Sequence, residues 1–220
     1  MSPVLSLYIV RHGRTEYNAI GMIQGQLDVP LNAFGRSQAE TSAELFKDTI
    51  IDELWSSTLI RAKETAQIVG QYHLSLGHNA KEDDRLKERG MGSWEGCLDA
   101  DVGQNPEPED AEAYDAVVTR IIAWLRELLL AHQTAKEDRT ILVVTHEDCI
   151  TALGQYINTP ESFPLAGIDL NIYFQTEEGV DVVDGCPNLG GSTIDFTFTG
   201  EGGEAKWVGF IKGWAEKGPV

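Results

Sequence analysis

Two histidines stand where short apolar runs end. Ser6 to Val10 is β-branched and aromatic and stops at Arg11-His12-Gly13-Arg14-Thr15, with Asn18 three residues on. Thr140 to Val144 (TILVV) stops at Thr145-His146. In open α/β sheets ligands bind outside the carboxyl ends of the strands, so both imidazoles fall where a site belongs. If the two strands are neighbours, one histidine can act as nucleophile while the other donates a hydrogen bond to the group being transferred. Gly13 permits a tight turn and close backbone approach, and Arg11 offers a planar fork of donors to a phosphate. A metal pair is the competing use. Glu147 and Asp148 are the only adjacent carboxylates, and their spacing matches no metal motif, so no metal is expected.

Two further segments carry candidate chemistry. SSTLIRAKETA, from Ser56 to Ala66, puts Arg61 in the first turn of a helix, where free N–H groups already favour an anion. LKERGMGSWEG, from Leu86 to Gly96, packs Glu88 and Glu95 among three glycines and a tryptophan. A carboxylic acid held there close to a ligand and partly out of water has its pKa raised toward neutrality. Each segment alone has an ordinary reading too. His12 is equally a loop histidine, Arg61 a solvated helix residue, and Glu88 a surface partner of Arg85 or Arg89.

The elements that must position these residues alternate. Strand-like runs are separated by helical patterns at Gly35 to Phe46, Ile60 to Tyr72 and Ala113 to Ala131, and Asp52 to Trp55 supplies one more short strand. This predicts an α/β fold of three layers (α/β/α), with a mainly parallel central sheet and helices on both faces. Residues 97 to 112 are acidic, rich in Pro and Asn and without periodicity, and are expected to be the most mobile segment; a lid or cap loop is placed at 97–115. After Pro160 alternating runs predict antiparallel edge strands over 165–212, with hairpin turns at Glu178-Gly179 and Gly202-Gly203. Residues 1–220 are expected to form one domain. The apolar face of the edge hairpin, Ile172 and Phe174, offers a surface on which a second copy could pair as a homodimer.

Charge narrows the partners. The 220 residues hold 17 Lys plus Arg against 35 Asp plus Glu, a net of −18 with pI about 4.5. Proteins that bind duplexes or anionic membranes neutralise phosphates with basic clusters, so neither nucleic acid nor membrane is an expected partner. Cys97, Cys149 and Cys186 form no CxxC pair, and the opening MSPVLSLYIV reads as a buried strand rather than a leader. A cytoplasmic location is expected.

Taken together and in order, RHGRTEYN, QGQLDVPLNAFGRSQA, SSTLIRAKETA, LKERGMGSWEG and VVTHED resemble the histidine phosphatase superfamily, the phosphoglycerate-mutase-like group, from about Leu7 to about Leu153. Five spaced blocks are far more specific than any one of them. The resemblance implies that His12 is the nucleophile that becomes phosphohistidine, and that Arg11, Arg61 and His146 surround the phosphoryl group. It implies that Glu88 is the general acid and base, that Asn18 lines the pocket and that Gln24 stands at its mouth. Thr15, Gly25 and Arg89 join these as phosphate- or substrate-binding positions, and no cofactor is implied. Mutases of the group carry ERHYG after the acid and then an insertion with an Arg pair. Here Gly90 and Met91 replace the His and Tyr, and 97–112 offers no Arg pair, so a phosphomonoester hydrolase acting on a small phosphate ester is favoured. Mutase activity, supported by Arg89, is the alternative, and a non-catalytic binder of the same fold is a further one. One departure stands out: the residue after the second histidine is usually small in the family, whereas here it is Glu147. Turned inward it would repel a phosphate dianion and favour a cationic or neutral substrate body, so it is expected to point away or to pair with a lysine or arginine.

Overall fold

In the computed structural model, residues 2–73, 76, 80–158, 169–174, 186–200 and 206–216 are described. The elements run β1 (Val4–Arg11), α1 (Glu16–Ile20), α2 (Ala33–Phe46), β2 (Glu53–Ser57), α3 (Ile60–Val69), β3 (Lys81–Asp83), α4 (Asp99–Val102), α5 (Tyr114–His132), β4 (Arg139–Thr145), α6 (Glu147–Asn158), β5 (Leu170–Phe174), β6 (Gly191–Thr199) and β7 (Lys206–Glu216). The strands form one sheet in the order β3-β2-β4-β1-β6-β7-β5.

Side chains along β1 and β4 alternate between two cores, as the pleat requires. Leu5, Leu7, Ile9, Ile141 and Val143 bury one face against α5 and α6. Val10, Leu142 and Val144 bury the other face against Ala39 of α2 and Ala62, Ala66 and Val69 of α3. β4 is buried on both sides, whereas β1 is buried through Leu5, Leu7 and Ile9 on one face and half-buried at Ser6 and Tyr8 on the other. The three-layer fold with a mainly parallel sheet is as the sequence predicts.

The C-terminal part differs in detail. β6 is antiparallel to β1 and to β7, and β5 then lies parallel to β7 at the edge. Among the described strands, β6 alone therefore runs against the others. The run from Leu170 does not fold back on its sequence neighbour, because β7 fills the place between β5 and β6. Both expected turns, Glu178-Gly179 and Gly202-Gly203, lie outside the described residues, as do the side chains of Ile172 and Phe174.

The acidic segment also departs from expectation. It contains α4, and three of its carboxylates are tied down. Asp110 accepts from the Ser93 N–H at 3.0 Å, Glu107 pairs with Arg89 at 2.6 Å, and Glu112 pairs with Arg120 at 2.8 Å. Its acidity supplies partners for specific cations instead of marking a free loop. Among the described residues no helix is long and apolar enough to cross a membrane.

Candidate active site

β1 and β4 are parallel neighbours with Arg11 opposite Thr145, so the next residue on each strand is a histidine. The His12 N–H donates to the Thr145 carbonyl at 3.0 Å, locking the two strand ends together. The imidazoles lie 5.1 Å apart between centroids, tilted by 58°, and both are almost wholly buried.

The tautomer of His12 follows from its neighbours. The Gly13 carbonyl, 2.7 Å from Nδ1, can only accept, so Nδ1 carries the proton. The Arg61 Nε–H, 3.3 Å from Nε2, can only donate, so Nε2 presents a lone pair. Burial pushes the His12 pKa well below its ordinary value, and Arg61 and Arg11 push it further. A neutral imidazole whose unprotonated Nε2 accepts from Arg61 is thus the resting state. His146 is also held neutral, by burial first and then by Arg61 and His12. Neither of its ring nitrogens has a hydrogen-bond partner among the described residues. An unsatisfied buried polar group costs about 1–3 kcal/mol, so His146 leaves one donor and one acceptor to be satisfied.

Arg61 is fully buried. Its Nη1 donates to the Leu27 carbonyl at 2.8 Å and its Nη2 to the Gly25 carbonyl at 2.7 Å, which aims Nε at His12. Gly25 has φ +48°, and a Cβ there would come 2.2 Å from Glu95 Oε1, so this turn needs glycine. Thr65, one helical turn after Arg61, accepts from the Gly13 N–H at 3.0 Å and donates to the Arg61 carbonyl at 2.7 Å. It joins the loop after β1 to the first turn of α3, a role that the sequence does not reveal.

Arg11 is buried apart from 13% of its side chain. Its Nη1 donates to the Cys186 carbonyl and its Nη2 pairs with Glu147 Oε2 at 2.6 Å, while the buried Nε has no partner among the described residues. Glu147 does meet an arginine, as expected of it, but that arginine is one assigned to phosphate.

Glu88 hangs from the start of α6. Its Oε1 accepts from the Arg89 and Asp148 N–H groups, both at 3.1 Å. Burial raises its pKa, Arg61 and Arg11 oppose the rise, and Glu147 adds to it. Asp148 is likewise pushed up to about 7, by burial and by Glu88 beside it. Arg120 of α5 holds this loop by its backbone: Nη1 donates to the Arg85 and Lys87 carbonyls at 2.7 and 2.6 Å, and Nη2 donates to the Glu88 carbonyl at 3.1 Å. Sequence reasoning missed Asp148 and Arg120. The signal for Arg120 was present: a charged residue stands among Val117, Val118, Ile121 and Trp124, on the buried face of α5.

The other expected residues sort into two groups. Thr15 and Asn18 form a capping box at α1, with Asn18 N–H to Thr15 Oγ1 and Thr15 N–H to Asn18 Oδ1 both at 3.1 Å, and the Thr15 hydroxyl donates to Gln24 Oε1 at 2.7 Å. This set stands immediately after the His12 loop. Arg89 is engaged elsewhere: Nη1 and Nη2 donate to the two Glu107 oxygens at 2.9 and 2.6 Å, and Nε donates to the Glu112 carbonyl at 2.7 Å. Among the described residues, no group of three or more His, Cys, Asp and Glu side chains is placed to hold a metal ion.

The four titrating groups have a consequence for stability. Below about pH 6.5 the unfolded chain takes up protons on His12 and His146 that the folded chain refuses, so they make stability fall as pH drops. Glu88 and Asp148 act oppositely. Folded, both keep protons above the ordinary carboxylate range, Asp148 up to about 7, so they add stability as pH falls toward that range. Replacing Glu88 by Gln and Asp148 by Asn together removes this offset. Stability of the double variant is expected to fall by up to about 2.7 kcal/mol per pH unit below about pH 6.5, two protons at about 1.4 each. Urea unfolding of both proteins at pH 5 and 7 measures it; equal pH slopes would contradict the linkage.

Residues 7–171 match the sequence model of the histidine phosphatase superfamily (branch 1). The chain belongs to this superfamily. Among its relatives, the glucosyl-3-phosphoglycerate phosphatase of Mycolicibacterium vanbaalenii is 33% identical over 203 residues, which is 84% of this chain and 88% of the relative. Phosphoglycerate mutase-like protein 4 of Arabidopsis thaliana is 34% identical over 163 residues, 67% of this chain and 68% of the relative. In structure, the mycobacterial glucosyl-3-phosphoglycerate phosphatase complexed with VO3 aligns with a TM-score of 0.68 at 25% identity, covering 96% of this chain and 99% of that one. Within the histidine phosphatase superfamily, then, this chain has relatives named as phosphatases and others named as mutase-like.

Proposed function

We propose that this histidine phosphatase superfamily member is a phosphomonoester hydrolase that works through a phosphohistidine on His12. The observation that carries the reading is the neutral His12, its Nδ1 proton held by Gly13 and its Nε2 lone pair turned to the Arg61 guanidinium, opposite an unsatisfied His146. The relative solved with VO3 supports it, since that oxyanion suits a site built for phosphoryl transfer.

In the first step the Nε2 lone pair attacks phosphorus and the ester P–O bond breaks. The departing alkoxide takes the proton of Glu88, whose pKa burial raises above the ordinary carboxylate value. Arg11, Arg61 and His146 carry the charge on the equatorial oxygens. In the second step the Glu88 carboxylate takes a proton from water, the water oxygen attacks phosphorus, and the P–N bond breaks to return neutral His12 and free phosphate. Asn18, Gln24 and the Gly25 turn line the approach in this reading.

Rapid acid or alkaline quench during turnover of a labelled phosphate ester in EDTA tests it. The expected product is an alkali-stable, acid-labile phosphoprotein, and hydrolysis with no such species at any quench time would overturn the reading. Phosphoglycerate mutase activity is the second reading, favoured by the Arabidopsis relative. Scoring isomerisation of 3-phosphoglycerate beside phosphate release separates the two.

Arg120 is a positioning residue in this scheme, because it fixes the backbone that carries Glu88. A shift of about 1 Å in a catalytic group costs on the order of 10²-fold, so Arg120→Gln is expected to lower kcat by about that factor while KM for a small ester changes little. Arg120→Lys, lacking the planar fork, is expected to restore only part of it. Steady-state kinetics on a simple alkyl phosphate give the answer, and a loss confined to KM would contradict the assignment.

A further inference from the structure

The side-on fork of Arg11, made of Nε and Nη2, is half taken. Glu147 Oε2 sits 2.6 Å from Nη2, whereas the neighbouring Nε is buried and has no partner among the described residues. An oxyanion that reaches Nε must share the guanidinium with a carboxylate that already stands there. The next arginine along the acid loop is closed as well, since both prongs of Arg89 hold Glu107 and its Nε holds the Glu112 carbonyl. On the same turn of α6, Asp148 lies against Glu88 and offers a second carboxyl group.

We infer that Glu147 is a specificity-determining residue: it leaves Arg11 enough charge for the phosphoryl group alone and turns away esters whose alcohol portion carries a carboxylate, in favour of cationic or uncharged alcohols. The inference rests on the phosphatase reading. A substrate carboxylate about 6 Å from Glu147, at an effective dielectric of about 20, meets a repulsion equivalent to about 10²-fold in affinity, and an ammonium gains by a similar factor. A phosphoglycerate ester brings the carboxylate that Glu147 opposes. Specificity here comes from a repulsive element beside the attractive one.

Three esters of similar size test it: 2-aminoethyl phosphate, glycerol 3-phosphate and 3-phosphoglycerate. The expected order of kcat/KM is amino, then glycerol, then glycerate, with at least a tenfold gap between first and last. Glu147→Gln is expected to shrink that gap at least tenfold and to tighten inhibition by inorganic phosphate, and Glu147→Ala should do the same. A wild-type preference for 3-phosphoglycerate, or a gap that neither variant alters, would overturn the inference. Failure of the phosphatase reading looks different: neither these esters nor an aryl phosphate would be turned over. Calorimetric binding of the same three esters to wild type and to both variants would then read the order directly, with the same two outcomes.

Discussion

His12→Ala is expected to reduce phosphate release from every ester by on the order of 10⁶-fold, the scale on which loss of a covalent nucleophile is felt. In the proposed scheme Nε2 of His12 is the attacking atom, and His146, 5.1 Å away between ring centroids, serves as a donor to the transferred group. The arginines remain, so the variant should still bind phosphate esters. The checks are therefore phosphate release, the phosphoprotein signal and ligand binding. Release and the phosphoprotein should vanish together while binding persists. A variant that keeps rates within tenfold of wild type would exclude His12 as nucleophile.

Glu88→Gln is expected to cost about 10²- to 10⁴-fold on an alkyl phosphate, the range for one general acid or base. The glutamine can still accept the Arg89 and Asp148 N–H groups through its carbonyl oxygen, so the loop should keep its place. On an aryl phosphate the pattern should change. A phenolate leaves without needing a proton, so the first step survives while the second, which needs a base for water, does not. Phosphoenzyme should then accumulate as a burst followed by slow turnover. Equal losses on both ester classes with no burst would mean that Glu88 only shapes the pocket.

The sequence made the site legible where burial is total. A strand covered on both faces has no polar position to spare, so β4 stands out, β1 is apolar through its buried positions, and a histidine placed immediately after each is conspicuous. Arg61 was readable because a helix start and an arginine point to the same anion. Other features depend on distant partners that no local pattern encodes. Arg89 keeps the same identity whether it grips a substrate or Glu107, and only the path of 97–112 decides between them. Asp148 gains its raised pKa from burial first and then from Glu88, which lies 60 residues earlier. The place of β5 follows from β7 inserting between it and β6, which alternation of residue types cannot specify.

Two of the three thiols, Cys149 and Cys186, are buried while Cys97 is half-buried, and the buried pair bears on redox behaviour near the site. Cys149 lies in the core against the carbonyls of Leu86 and Lys87, and Cys186 sits behind Arg11; burial pushes both pKa values up to about 12. A thiol that does not ionise is neither a nucleophile nor a ready target for peroxide. The nitrogen nucleophile proposed at His12 has no oxidation ladder to climb under the same conditions. A phosphatase that depends on a thiolate falls silent in an oxidising burst, whereas phosphate release by the proposed His12 route is expected to continue through it.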